Sequence, residues 1–153
     1  MREVKFRAWD KEFNIMCGSD DIMWFDEFIT SLGKVVELRE EHSYVGSSFH
    51  FDDVSRKRVL MQYTGLKDKN GVEIYEGDIV SGDSYEATML KHWGADVEVS
   101  AERYLIKYHD ASFKIFDSKG NRLAVLNHHV SSKVEKLEVI GNIYENPELL
   151  EVN

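Results

Sequence analysis

Cysteine and proline are nearly missing from this chain, with one of each in 153 residues. With Cys17 alone, no intrachain disulfide can form. That excludes the disulfide-stapled secreted scaffolds and fits a reducing compartment. It also excludes a zinc site with a Cys-x-x-Cys arm. One proline excludes a linker-rich or polyproline architecture. No apolar run approaches the roughly 18 residues of a membrane span, and residues 1–16 carry no apolar signal-peptide core. The expectation is therefore a cytoplasmic protein with no membrane partner. Positive charge is scarce too: 19 Lys and Arg stand against 28 Asp and Glu, a formal net charge of −9. This disfavours non-specific binding to a phosphate backbone. The glycine fingerprints of dinucleotide and phosphate cradles and the Gly-x-Ser-x-Gly elbow are absent as well.

What is present suffices for a small core. Eight Phe, seven Tyr and three Trp lie within an apolar fraction of 42%, enough for one domain or two very small ones. The region 60–80 is the most legible. Two turns, 67–71 with its Asn70-Gly71 pair and 76–78 with Gly77-Asp78, separate short apolar or alternating stretches. Residues 2–9 alternate, with Val4, Phe6 and Ala8 on one face, and a turn at 10–14 returns the chain through 15–17. This predicts an N-terminal hairpin. Residues 21–30 fit a helix or a strand equally. Residues 34–39 read as a strand and 40–49 as loop. Strands are expected at 59–63, 87–93, 104–108, 113–116, 123–126 and 134–139. The last is expected to bend at Gly141-Asn142 and continue through 143–144, and 81–84 is expected to be loop. Asn146-Pro147-Glu148 opens a short C-terminal helical turn, whose Leu149 and Leu150 are available for packing. The pattern is mainly β, with an N-terminal hairpin and variable region at 1–58 and a small barrel at 59–153.

Candidate chemistry is sparse. Cys17 reads as a small core residue. Asp68, Asn70 and Gly71 have part of the look of a calcium loop, but no glutamate closes it. Six histidines are present, none in a helical i, i+4 pair. A metal-dependent enzyme would have to gather His109, Asp110 and His128, or the pair Glu76 and Asp78, in space. The plainer role of Asp78 is to accept backbone N–H bonds in its own turn. Tyr63, Tyr75, Trp93, Tyr104, Tyr108, Phe113 and Tyr144 are candidates for stacking on bases, or simply core. The lysines among them, such as Lys67, Lys69, Lys91, Lys107 and Lys114, are interleaved with acids. No cofactor is implied.

Three blocks then carry a resemblance: Lys-Phe-Arg-Ala-Trp-Asp at 5–10 with Met16 after it, the whole of 61–80, and 138–150. On these the chain resembles the YopX family of small phage and prophage proteins. The resemblance implies a β-rich fold with an SH3-like barrel in its central and C-terminal part. It supplies no catalytic or ligand residues. Its blocks coincide with the turns at Asn70-Gly71, Gly77-Asp78 and Gly141-Asn142, which read as folding determinants. The functional expectation is a phage or prophage accessory protein that binds another macromolecule. A protein partner is favoured over nucleic acid by the charge, and a homo-oligomer is expected from the apolar C-terminal tail and open barrel edges. A nucleic-acid-binding module and a metal-dependent enzyme are the alternatives.

Overall fold

In a computed structural model of the chain, the residues described are 4–18, 27–29, 35–43, 46–53, 56–126 and 136–151, with backbone alone for 27–29, 35–43 and 46–52. The chain divides into two compact units. One is Lys5–Gln62; the other is Met1–Val4 with Tyr63–Asn153.

In the first unit the expected hairpin forms from β1 (Phe6–Asp10) and β2 (Ile15–Cys17), with Ala8 opposite Cys17 and Asp10 opposite Ile15. Val4 and Lys5 precede the strand, so it starts later than the alternation predicts. On its other edge β1 pairs with the first half of β6 (Arg58–Lys67), which places Asp10 opposite Arg58. Asp10 is buried and shapes the hairpin. Its Oδ1 accepts the N–H groups of Glu12 and Phe13 at 2.8 and 3.0 Å, and its Oδ2 meets Arg58 Nη1 at 3.1 Å. Cys17 is buried with Ala8 and Leu60, as a small core residue should be, and Arg58 Nη1 lies 3.3 Å from its Sγ. A second sheet in this unit orders β3 (Glu27–Ile29), β4 (Val35–Ser43) and β5 (Gly46–Asp53). Residues 40–43 and 46–49, expected as loop, are paired strand: Glu40 faces Phe49 and Ser43 faces Gly46. Polar composition does not forbid a strand when a hairpin partner takes up its backbone hydrogen bonds. The rest of the expected ambiguity at 21–30 lies outside the described residues.

In the second unit the latter half of β6 pairs with β7 (Glu73–Tyr75) around the Asn70-Gly71 turn. A five-stranded antiparallel sheet follows in the order β11-β10-β9-β8-β12. Its strands are β8 (Asp78–Asp83), β9 (Ala101–His109), β10 (Ser112–Asp117), β11 (Arg122–Val125) and β12 (Glu138–Asn142). Among the described residues this sheet is open, with β11 and β12 as its edges. Ile74, Val80, Tyr104, Ile106, Phe113, Leu126 and Leu137 form its core. Each large apolar side chain among them contributes about 1.5–3 kcal/mol.

Three expectations need correction here. Residues 81–83 belong to β8 rather than to a loop. The last strand is Glu138–Asn142; residue 136 is turn, 134–135 lie outside the described residues, and 143–145 form a turn instead of continuing the strand. Asn142 ends it, because its Oδ1 accepts the N–H groups of Tyr144 and Glu145. The third correction is the largest. Residues 87–93 are not a strand: Tyr85–His92 is an α-helix, α1. The C-terminal turn is as expected, a 3-10 helix over Pro147–Leu150. Arg103 Nη1 donates to Leu149 O at 3.0 Å, tying this turn to β9.

Candidate functional site

Two connections of the second unit are built in opposite ways. The first is the turn between β6 and β7. Asp68 is buried, and its carboxylate is wholly engaged by backbone. Oδ1 accepts from Asn70 and Val72 at 2.8 and 2.9 Å, and Oδ2 accepts from Val139 on β12 at 2.9 Å. Burial would raise its pKa, but the three N–H donors and the neighbouring Lys69 outweigh that and hold it below the usual aspartate value. Lys69 N–H donates to Leu137 O, and Lys69 Nζ reaches Glu138 Oε2 at 2.7 Å. Asn70 Nδ2 donates to the other oxygen of Glu138. Gly71 takes φ +82°, a backbone conformation that glycine adopts without strain. Asp68 is therefore a latch between the turn and β12, and its donors are amides rather than a cation.

The other predicted turn residues are equally committed to backbone. Gly77 has φ +82° and its N–H donates to Ile106 O. Asp78 is fully buried, and its Oδ2 accepts from Tyr75 N–H at 2.7 Å, the role expected of it. Gly141 follows a β-bulge, and a Cβ there would meet Asn146 Oδ1 at 2.5 Å and Leu149 Cδ1 at 2.9 Å. Asn142 lies opposite Asp78.

Of the residues weighed for a metal centre, Glu76, Asp78, His109 and Asp110 are described. Glu76 Oε1 accepts from Tyr108 N–H. His109 and Asp110 do meet, at 2.8 Å, but the same Asp110 oxygen also takes Lys114 Nζ at 2.7 Å. That ammonium is the main reason the Asp110 pKa is lowered. The Asp110 oxygen that meets His109 is thus shared with a lysine ammonium. His128 lies outside the described residues. Among the described residues no three His, Cys, Asp or Glu side chains are grouped to hold a metal ion.

The aromatic set divides as well. Tyr63, Tyr75, Tyr104 and Phe113 are buried, Tyr144 is half-buried, and Tyr108 and Trp93 are exposed. The first four serve packing: Tyr63 and Tyr75 lie 5.4 Å apart, and Phe113 meets Tyr108 edge-on. Three of the lysines are also committed, Lys69 to Glu138, Lys107 over the Phe116 ring and Lys114 buried against Asp110.

The second connection, residues 84–100 between β8 and β9, is where Trp93 stands. Its base is firm. Ser84 N–H donates to Ser100 O at 2.8 Å, and Ser84 Oγ caps α1 by accepting from Ala87 N–H. The buried Tyr104 hydroxyl accepts from Tyr85 N–H and lies 2.9 Å from Asp83 O and 3.0 Å from Glu102 Oε2. Burial first, then the Glu102 carboxylate, raises its pKa and keeps that proton in place. The far end is equally fixed. Ala95 N–H donates to Leu90 O and Gly94 N–H to Lys91 O, with Gly94 at φ +85°. This is a Schellman closure. Glu86 in the first turn and Lys91 and His92 in the last complement the helix dipole.

Between these two fixed ends, α1 buries no residue. Glu86, Leu90 and the C-cap residue Trp93 fall at i, i+4 and i+7, one stripe of the helix continued into its cap, and all three are exposed. Leu90 is 43% exposed and Trp93 80%, although the backbone beneath them is locked at both ends. Extended residues follow, with Asp96 and Glu98 exposed and Val97 and Val99 half-buried. Sequence reasoning singled out Trp93 but set it on a strand, and passed over Leu90. The signal that finds the helix is Ser84 as a cap and Gly94 as a stop around Ala, Met, Leu and Lys.

Comparison with known proteins agrees with this architecture. The family described as YopX protein matches residues 5–151. The crystal structure of protein EF1440 from Enterococcus faecalis is 28% identical, with a TM-score of 0.58 over 99% of this chain and 100% of that one. The structure of protein yopX from Bacillus subtilis is 27% identical, with a TM-score of 0.56 over the same shares. No curated protein matches. With the family match spanning residues 5–151, nearly the whole length, the chain belongs to the YopX family.

Proposed function

We propose that this phage or prophage protein of the YopX family acts by binding another protein, without catalysis of its own, and that the surface it uses is the exposed stripe of α1. The observation that carries this reading is Trp93, 80% exposed on a backbone held by helix-closing hydrogen bonds. Tryptophan is the residue type most enriched at the energetic centre of protein interfaces. A fixed backbone removes part of the ordering cost of binding. The five-stranded sheet is read as an SH3-like barrel serving as scaffold, with β11 and β12 as the edges such a barrel would bring together. A nucleic-acid module is the weaker reading, since four of the seven aromatics are spent on packing and the net charge is −9.

The test is a tagged pull-down from bacterial host cells, split into nuclease-treated and untreated halves, with Trp93→Ala beside the wild type. The expected result is a protein retained in both halves by the wild type and lost by Trp93→Ala. Partners lost on nuclease treatment, or retained unchanged by Trp93→Ala, would overturn the proposal.

A further inference from the structure

The chemistry around Trp93 narrows what can seat on it. Between residues 83 and 102 there are five acids, Asp83, Glu86, Asp96, Glu98 and Glu102, against one lysine. Asp83, Glu86, Asp96 and Glu98 are exposed, and none of them takes part in the hydrogen bonds that hold the segment's two ends through side chains. The opposing cation, Lys91, sits in the last turn of α1, where the helix dipole accounts for it. The stripe thus runs from a carboxylate at Glu86 through the apolar Leu90 to the indole of Trp93, and two further carboxylates follow Gly94.

From this charge pattern we infer that the occupant of the α1 stripe is a basic protein segment, bearing arginine beside an apolar side chain. The inference rests on the protein-binding reading above. An apolar side chain of that segment covers Leu90. An arginine guanidinium lies on the face of Trp93, where the ring quadrupole attracts it. The planar, weakly hydrated guanidinium suits stacking and pairs with carboxylates such as Glu86, Asp96 and Glu98. A second copy of this chain is disfavoured as occupant. Each copy carries a net charge of −9, and docking stripe on stripe would set these carboxylates against each other. Nucleic acid is disfavoured for the same reason, its phosphates meeting carboxylates.

The experiment uses the full chain and short fluorescent peptides that share their apolar residues and differ only at the charged positions, which hold Arg, Gln or Glu. A labelled single-stranded oligonucleotide is run beside them, and fluorescence anisotropy reads binding. The Arg peptide should bind the wild type about tenfold or more tighter than the Gln peptide, and the Glu peptide should not bind. Trp93→Ala should weaken the Arg peptide by about tenfold or more. The triple variant Glu86→Lys, Asp96→Lys, Glu98→Lys should weaken it similarly while leaving the Gln peptide unaffected. Unfolding curves matching the wild type confirm that both variants are folded.

If the Gln peptide binds as tightly as the Arg peptide and still needs Trp93, the basic occupant is overturned and the protein-binding surface stands. If Trp93→Ala binds every peptide like the wild type, or no peptide binds at all, both fail. Oligonucleotide binding that Trp93→Ala abolishes would also overturn both.

Discussion

The turn at 68–72 and the connection at 84–100 belong to the same unit and join neighbouring strands, yet they spend their side chains in opposite ways. Asp68 gives all its hydrogen-bonding capacity to the backbone of its own turn and of β12. The 84–100 segment uses Ser84, Tyr104 and backbone bonds to fix its ends, then exposes Glu86, Leu90 and Trp93. A polar residue turned inward reads as scaffold. A large apolar residue turned outward on a fixed backbone reads as surface kept for a partner. The comparison yields expected effects that differ in kind as well as in size.

The largest effect should come from the latch. Asp68→Ala leaves three amides without their acceptor, and the expected loss is about 2–4 kcal/mol in urea unfolding. Trp93→Ala, in the opposite connection, should stay within about 0.5 kcal/mol of the wild type. A Trp93→Ala loss as large as that of Asp68→Ala would erase the distinction. Next, Tyr104→Phe removes the hydroxyl at the base of α1 and should cost about 1–2 kcal/mol. It should also speed amide exchange across Tyr85–His92, while exchange in the 68–72 turn stays unchanged.

Acid sharpens the contrast further. The folded pKa of Asp68 lies below its ordinary value of 3.8. Its contribution is therefore fully present above that value and is lost as pH falls below it through the folded pKa. Stability measured across this window should fall more steeply for the wild type than for Asp68→Asn. Parallel curves would show that folding does not lower the pKa of Asp68. Trp93→Ala should follow the wild-type curve.

The smallest effect lies at a third connection, the β9–β10 hairpin. There Asp110 and Ala111 take φ of +49° and +57°, and alanine has no side-chain compensation for that conformation. Ala111→Gly should raise stability by up to about 1 kcal/mol. A loss would mean that the backbone here is not strained.

The scaffold was far more legible in the sequence than the surface. Asn70-Gly71 and Gly77-Asp78 stood out because positive φ and side-chain acceptors leave a local signature, and both turns are where the pattern puts them. Residues 87–93 misled because Met89 and Leu90 suit a strand or a helix. The deciding residues, Ser84 and Gly94, lie outside the apolar run. The polar composition of 40–49 reads as loop, although Phe49-His50-Phe51 carries a strand alternation and the region pairs as a hairpin. The Asp68 latch was invisible for another reason. Its third donor, Val139, is remote in the chain, and no local pattern announces a partner brought close only by the sheet.

The measurement that bears most directly on the account is site-specific photo-crosslinking in bacterial host cells. A benzophenone amino acid would be placed at position 91, exposed in the last turn of α1 beside Leu90 and Trp93, in one protein and at position 72 in another. Val72 is also exposed, 48%, but it sits in the pinned turn. The account predicts a discrete crosslinked protein from position 91 and none from position 72. Equal crosslinking from both positions, or from position 72 alone, would contradict it.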